Sequence, residues 1–412
     1  MLIIYRIFIN TVFLILPIII IVRLLKGKED YKRVKEKIGF NSIKRGTGNL
    51  VWFHGASVGE MKSIIPLITK LEKQKNIQKI LITSNTISSA KIFKNLKLKK
   101  TIHQFFPIDT NFITKKFINY WSPSKVFFVD SEIWPNMIIN IKKKKIPLIL
   151  INGRITKKSF RRWNRFKNFS KEIFSNFDLC LTSNKVSKNY LTKLKAKNIN
   201  YLGNLKFTES KNKKSYLKEK LNKFLNSKNT WCASSTHDNE EMICGLVHLK
   251  LKKKLRNLLT IIIPRHIERS DQIKIDLEQL GLKVFLHSNK KKIASNSDIY
   301  LVNAYDQTKL FFNKCKNVFL GGSLINHGGQ NPLEAARYGC NILHGPNVQN
   351  FDEIYQFLKE KNVSNKVKNI NEFHKVLSKL LTSKYRYNKI KTNINILGEN
   401  ILNKTLKKIN AV

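Results

Sequence analysis

Acidic side chains are scarce in this sequence: 27 Asp+Glu stand against 77 Lys+Arg, a formal charge of +50 over 412 residues. A field of that sign favours polyanionic partners, whether nucleic acid, anionic lipid or a phosphorylated substrate. Part of the excess is compositional drift, because Lys, Asn and Ile are all overused. Cysteine is sparse as well. Cys180, Cys232, Cys244, Cys315 and Cys340 sit in or beside apolar runs without paired spacing, which excludes a disulfide framework or a zinc site and points to buried thiols in a reducing compartment. There is no P-loop and no H-E-x-x-H, so P-loop kinases and zincins lose their main support. Internal repeats are absent too, and the only low-complexity signal is the lysine bias. The length suits two ordinary cores, since single cores stop growing near ~250 to 300 residues.

One long apolar run is present, at the N-terminus. Between Arg6 and Arg23 lie sixteen residues, apolar except for Asn10 and Thr11 and interrupted by Pro17, a little short of the ~20 that span a bilayer as a straight helix. No small-residue cleavage site follows, so the segment reads as an uncleaved anchor. Arg23, Lys26, Lys28, Lys32, Arg33, Lys35 and Lys37 come next. Positive flanks stay cytoplasmic and attract anionic lipid, which sets the rest of the chain on the cytoplasmic face of a membrane.

From residue 49 short β-rich runs alternate with amphipathic stretches. "NLVWFH", "KILITSN", "HQFFP", "KVFFVD", "IPLILIN" and "LCLTS" form a first series, with helices such as Met61 to Lys73 and Trp134 to Lys143 between them. "TWCASS", "LLTIIIP", "KVFLHS", "IYLVN", "NVFLGGS" and "CNILHGP" form a second. This alternation implies an α/β protein of parallel sheets with crossover helices. "YLGNLKF", Tyr201 to Phe207, is the crossing point, followed by the lysine-rich stretch Thr208 to Asn229. Two doubly wound domains facing a cleft would bind ligands at the carboxyl ends of their strands.

Polar residues cluster in the loops at those ends. After the first strand comes "HGASVGE", with Glu60 near a helix N-terminus, where the dipole favours its ionised form by roughly 0.3 to 1 kcal/mol. That suits a general base, and equally a capping carboxylate with no further role. In "DSEIWPN", Asp130 and Glu132 resemble the D-x-D metal site of nucleotide-sugar enzymes. A Mg²⁺ site wants more hard oxygen ligands than can be assigned here, and one carboxylate reads as well as a cap ahead of Pro135. In the second half, "IIIPRHIER" places Arg265 and His266 directly after a strand. "FLGGSLINHGGQNPLEAARYG" supplies glycine turns, including Gly328 and Gly329, and a helix opening at Asn331 with Pro332 as its first residue. Free N–H groups at such a start favour a phosphate, and Glu334, one turn in, is a candidate for a ribose hydroxyl. Together these read as a nucleotide site. In "STHDNEE", His237 beside carboxylates suggests an acid/base pair, while Asp238 reads equally well as an N-cap.

Taken in order, "FHGASVGE", "SEIWPN", "NGRITKKS", "GNLKF", "ASSTHDNEE", "PRHIER" and "GGSLINHGGQNPLEAA" resemble the Kdo transferases, which attach 3-deoxy-D-manno-oct-2-ulosonic acid to the lipid A precursor. The likeness runs from the anchor to about residue 360. It implies a GT-B fold: a membrane anchor at 1–26, an acceptor-binding Rossmann-like domain at 27–205 and a domain binding the donor CMP-Kdo at 206–412. It also implies an inverting, metal-independent glycosyltransferase without a cofactor, on the cytoplasmic face of the inner membrane and with no nucleic-acid partner. Glu60 takes the family's general-base role, and Asp130 and Lys206 its transition-state stabilising roles. The CMP contacts fall on Pro264, Arg265, Tyr305, Asp306, Gln307, Asn331, Pro332, Leu333 and Glu334. Two positions depart from the family's usual pattern, which has glutamate at Asp130 and M-G-E at Tyr305 to Gln307.

Two other readings belong to different classes. A non-catalytic basic protein of membrane or nucleic-acid surfaces would cluster lysine and aromatic residues on one face, whereas the lysines here are dispersed. A GT-B enzyme using a different nucleotide sugar is distinguished by Glu60 and the "NPLE" loop together.

Overall fold

The structure, a computed structural model of the chain, describes all residues except 97, 210–216, 289–292 and 384–389. Part of the lysine-rich stretch Thr208 to Asn229 therefore lies outside the described residues. The chain divides into two compact units, Met1–Ser210 with Ile396–Val412, and Lys211–Asn395. Lys206 thus falls in the first unit, where the sequence reading began the second domain with it. The last helix, Ile390–Asn410, belongs to the first unit from Ile396 onward. Tight packing holds it there: a Cβ on Gly203 would lie 2.7 Å from Ile401, and Lys125 Nζ donates to the Ile409 carbonyl at 2.8 Å.

The first unit is built on β1 (Leu50–His54), β2 (Lys79–Ser84), β3 (Thr101–Phe105), β4 (Lys125–Val129), β5 (Leu148–Gly153), β6 (Leu179–Thr182) and β7 (Ile199–Tyr201). They form one parallel sheet in the order β3-β2-β1-β4-β5-β6-β7. β1 and β5 are buried along their whole length, as expected where helices cover both faces of a parallel sheet. Trp52, Phe117, Trp121 and Phe128 centre its core.

The second unit repeats the plan with β8 (Asn229–Thr236), β9 (Leu258–Pro264), β10 (Val284–Leu286), β11 (Ile299–Leu301), β12 (Asn317–Leu320), β13 (Asn341–His344) and β14 (Ser364–Lys366). Their order is β10-β11-β9-β8-β12-β13-β14, around a core of Trp231, Phe319 and Phe373. In each sheet the first strand in sequence lies where the winding reverses, between β2 and β4 for β1 and between β9 and β12 for β8. That is the switch point at which open α/β sheets bind ligands. β7 and β14, the polar edge strands "INY" and "SNK", carry no apolar run and escaped the sequence reading. All five cysteines are buried free thiols.

Close backbone packing at the second switch point makes Gly321 irreplaceable, because a Cβ there would lie 2.4 Å from the Ser235 carbonyl oxygen and 2.5 Å from Thr236 Cα. Gly321→Ala is expected to cost roughly 1 to 3 kcal/mol, read as a lower urea midpoint. An unchanged midpoint would mean that the loop shifts freely.

Candidate functional site

In the first unit β1, β4 and β5 lie side by side; β1 ends in His54, Asp130 directly follows β4, and Asn152 is the last residue but one of β5. The chain after β1 turns at Gly55 into the helix Val58–Leu71, which starts three residues before the sequence reading put it, with Ser57 as N-cap. Glu60 closes a capping box. Its Oε2 accepts from the Ala56 N–H at 2.7 Å, its Oε1 accepts from the Ser57 hydroxyl at 2.9 Å, and its own N–H donates to Ser57 Oγ at 3.3 Å. Burial pushes the Glu60 carboxyl above its ordinary value, and the neighbouring Glu132 pushes the same way, against the hydrogen bonds from Ala56 and Ser57.

After β4, Asp130 takes a left-handed conformation, φ +59°. Its backbone still continues the ladder, donating to the Ile151 carbonyl and accepting from the Arg154 N–H, both at 3.0 Å. A buried non-glycine residue held in that region points to function. Burial pushes Asp130 up to about 6; the Lys206 and Arg154 charges pull it back, while Glu60 and Glu132 raise it. Glu60, Asp130, Glu132, Arg154 and Lys206 therefore form one interacting group.

Lys206 arrives from far along the chain. The single 3-10 turn Leu205–Thr208 is capped by Asn204, whose Oδ1 accepts from the Lys206 N–H at 2.9 Å. Asn152, at the end of β5, accepts from the Leu205 N–H at 2.8 Å. Sequence reasoning did not single out Arg154, His54 or Trp134. His54 is fully buried at the end of β1, with Nδ1 3.2 Å from the Thr83 carbonyl and Nε2 3.1 Å from Glu132 Oε2. The Trp134 indole N–H donates to that same oxygen at 2.8 Å. Burial works to raise Glu132, but the His54 and Trp134 contacts prevail and hold it below its ordinary value. A polar residue closing an otherwise apolar strand was the signal that marked His54. Among the described residues no group of three or more His, Cys, Asp or Glu is arranged to hold a metal ion.

In the second unit the loops after β8, β9 and β12 converge in the same way. Glu240, fully buried, accepts backbone N–H bonds from His237 (3.0 Å), Gly322 (2.6 Å), Ser323 (3.0 Å) and Leu324 (3.0 Å), tying two loops together. The helix Glu240–Lys252 is preceded by Asn239 at the cap position, not by Asp238 as the sequence suggested. The His237 ring meets His327 at 4.2 Å and His266 at 5.8 Å between centroids. Burial and those neighbours hold His237 down at about 4, so it faces the loops as a neutral ring.

Pro264 ends β9, and the Arg265 N–H donates to the Thr236 carbonyl at 2.9 Å, which aligns that loop with β8. Tyr305 is exposed and donates to Glu268, Asp306 has φ +59°, and the Gln307 side chain donates to the Tyr305 carbonyl at 3.1 Å. Glu334 pairs with Lys309 at 3.6 Å. The helix expected to open at Asn331 instead runs Leu333–Arg337, with Pro332 as its cap and the Asn331 side chain accepting from the Leu333 N–H at 3.1 Å. It is five residues long.

Against known proteins, residues 32–209 match the family model described as 3-Deoxy-D-manno-octulosonic-acid transferase (kdotransferase). The chain is 34% identical over 375 residues to the 3-deoxy-D-manno-octulosonic acid transferase of Rickettsia bellii, covering 90% of this chain and 89% of that protein. It is 27% identical to the Haemophilus influenzae protein of the same name, covering 82% and 80%. Among solved structures, a putative UDP-N-acetylglucosamine 2-epimerase from Listeria monocytogenes superimposes with a TM-score of 0.61 at 15% identity, covering 89% of this chain and 96% of that one. That likeness concerns the fold alone, which is of the GT-B type.

The crowding of Asp130 has a measurable sign. Its carboxyl holds a proton more tightly in the folded chain, about 6, than its ordinary 3.8, so its contribution to stability falls as pH rises between those values. Asp130→Asn is expected to raise stability at pH 8 by roughly 1 to 3 kcal/mol and to flatten the stability profile between pH 4 and 6, while lowering activity. Loss of stability at pH 8 would show that the charge is compensated in place.

Proposed function

We infer the reaction from one premise: this chain belongs to the 3-deoxy-D-manno-octulosonic acid (Kdo) transferase family. It is a glycosyltransferase. The donor in our reading is CMP-Kdo and the acceptor the lipid A precursor, and transfer proceeds with inversion. The observation that carries the reading is the convergence of Glu60, Asp130 and Lys206 at the switch point of the first sheet.

Glu60 is the general base. As the acceptor hydroxyl oxygen attacks the anomeric carbon of Kdo, its proton passes to the Glu60 carboxylate. The bond from that carbon to the CMP phosphate breaks, and its electron pair stays on the phosphate oxygen. Capping holds Glu60 in a fixed orientation, and burial beside Glu132 raises its proton affinity toward the working range of a base. Asp130 stands by the positive charge that develops on the sugar, and Lys206 by the negative charge that develops on the phosphate. The donor is held by the second unit, through Arg265, the Tyr305 to Gln307 loop and Asn331 to Glu334. No divalent ion takes part in this reading, in which Lys206 supplies positive charge to the leaving phosphate. The first helix, long and apolar enough to cross a membrane by length and composition, attaches the enzyme to the anionic cytoplasmic face of the inner membrane.

Glu60→Gln is expected to keep the fold and CMP binding but to lose turnover by roughly 10² to 10⁴, measured as Kdo transferred to a tetraacylated precursor from preformed CMP-Kdo. Near-normal turnover would return Glu60 to capping alone. In the same assay activity should persist in EDTA, and Lys206→Ala should lower kcat far more than it weakens CMP binding. Activity lost in EDTA and restored by Mg²⁺ would give the phosphate to a metal instead.

A further inference from the structure

The N-terminal helix bears on how the membrane is met. Its less exposed residues are Leu2, Tyr5, Arg6, Ile9, Val12, Leu16, Ile20, Arg23 and Leu24, a spacing of three and four that marks one face from end to end. Leu2 and Tyr5 pack against the core of the first unit. The opposite face is bare apolar surface, with Ile7 62%, Leu14 78% and Leu25 83% exposed. The Thr11 hydroxyl on that side donates back to the Ile7 carbonyl at 3.0 Å, so it offers no unsatisfied donor to a hydrocarbon phase.

Both ends are tied to one body. At the start, the Tyr5 hydroxyl donates to Asp109 Oδ2 at 2.7 Å, and Arg6 donates to Asn136 Oδ1 at 2.9 Å and to Asn111 Oδ1 at 3.4 Å. Asp109 is fully buried and also accepts from the Asn136 and Met137 N–H groups at 2.9 and 2.8 Å. At the far end Arg23 donates to Glu29 at 2.6 Å, Lys37 reaches the same Glu29 oxygen at 2.6 Å, and the Lys37 carbonyl accepts from the Ile108 N–H at 2.8 Å. Ile108 precedes Asp109, so the two tethers return to neighbouring residues. Arg6 and Arg23 lie roughly 26 Å apart along the helix axis. A helix crossing the bilayer would place those tethers on opposite sides of the hydrocarbon, and the globular unit that receives both would have to lie inside it.

We propose that the first helix is an in-plane anchor seated in one anionic leaflet, the Ile7, Leu14 and Leu25 side immersed in acyl chains and the Leu2, Tyr5 and Arg6 side turned to the protein. Arg23, Lys26, Lys28 and Lys32 at its end meet the headgroups, where basic residues near an anionic surface are attracted. Phe112, next to Asn111, is a further exposed apolar residue at 76%. The inference rests on the membrane reading above and goes beyond it by excluding a span.

Because the native thiols are buried, single cysteines introduced as Ile7→Cys, Leu14→Cys and Leu25→Cys can be spin-labelled selectively and their depths read by EPR in phosphatidylethanolamine/phosphatidylglycerol vesicles. In-plane seating gives all three one shallow depth. A span gives Leu14 the greatest depth, with Ile7 and Leu25 in opposite leaflets about 27 Å apart, and overturns the proposal while leaving membrane attachment intact. Failure of the unlabelled protein to float with the vesicles overturns attachment itself. As a check that does not depend on labelling, a protease-cleavable N-terminal tag on the full chain should be cut from the side that carries the globular units. Protection there, with cleavage from the other side, again means a span.

Discussion

Three carboxylates at the end of one sheet are the constraint on which the first unit depends. Like charges out of water repel, by an amount that reaches ~4 kcal/mol at 4 Å in an effective dielectric of 20. The fold gives each of the three a different environment. Glu132 stays ionised because His54 and Trp134 donate to it. Asp130 is buried and held up at about 6, with Lys206 and Arg154 limiting the rise. Glu60 is raised but keeps three hydrogen-bond donors on its oxygens, the Ala56 N–H, the Ser57 N–H and the Ser57 hydroxyl. Titratable groups pushed apart in this way are what acid/base and charge-stabilising roles require, and the left-handed backbone at Asp130 is part of the cost.

The second sheet shows what a purely structural carboxylate looks like in the equivalent place. Glu240 also opens the helix after the first strand of its sheet, and it too gathers backbone N–H groups. It gathers four, from two loops, and is wholly enclosed. Glu60 gathers donors from its own turn alone and remains partly exposed. Hydrogen bonds of this kind hold Glu240 in place between the two loops. Glu60, with fewer donors and partial exposure, leaves room for a proton in the mechanism proposed above, where the capping box would supply the orientation that a base needs.

Twelve of the fourteen strands could be read in the sequence because a parallel sheet covered on both faces demands continuous apolar runs, and "LVWFH" or "LTIII" supply them. β7 and β14 are edges three residues long, where pairing on one side alone fixes the strand and polar side chains suffice. Glu60, Asp130 and Lys206 were found by motif and resemblance, whereas Arg154, His54 and Trp134 were not. Their roles depend on which strands become neighbours, β1 beside β4 and β4 beside β5, and spacing along the chain does not encode that. The return of the last helix to the first unit was hidden for the same reason: its contacts with Gly203 and Lys125 link residues about two hundred and three hundred positions apart.

The anchor contacts and the site meet in one short segment. Asp109 accepts from the N–H groups that open the helix Pro135–Lys143, and Tyr5 and Arg6 close on that same point from the N-terminal helix. The residues just before that opening are Glu132, which meets His54 at the end of β1, and Trp134, which donates to Glu132. In the proposed function, an acceptor whose acyl chains stay in a leaflet would present its sugar at a fixed height above the hydrocarbon. A base serving it would then need to be fixed relative to the surface on which the enzyme sits. Sharing one buried turn between the N-terminal helix and the carboxylate group would make that height a property of the fold of the first unit, set by Asp109 and Asn136 and not by a flexible linker.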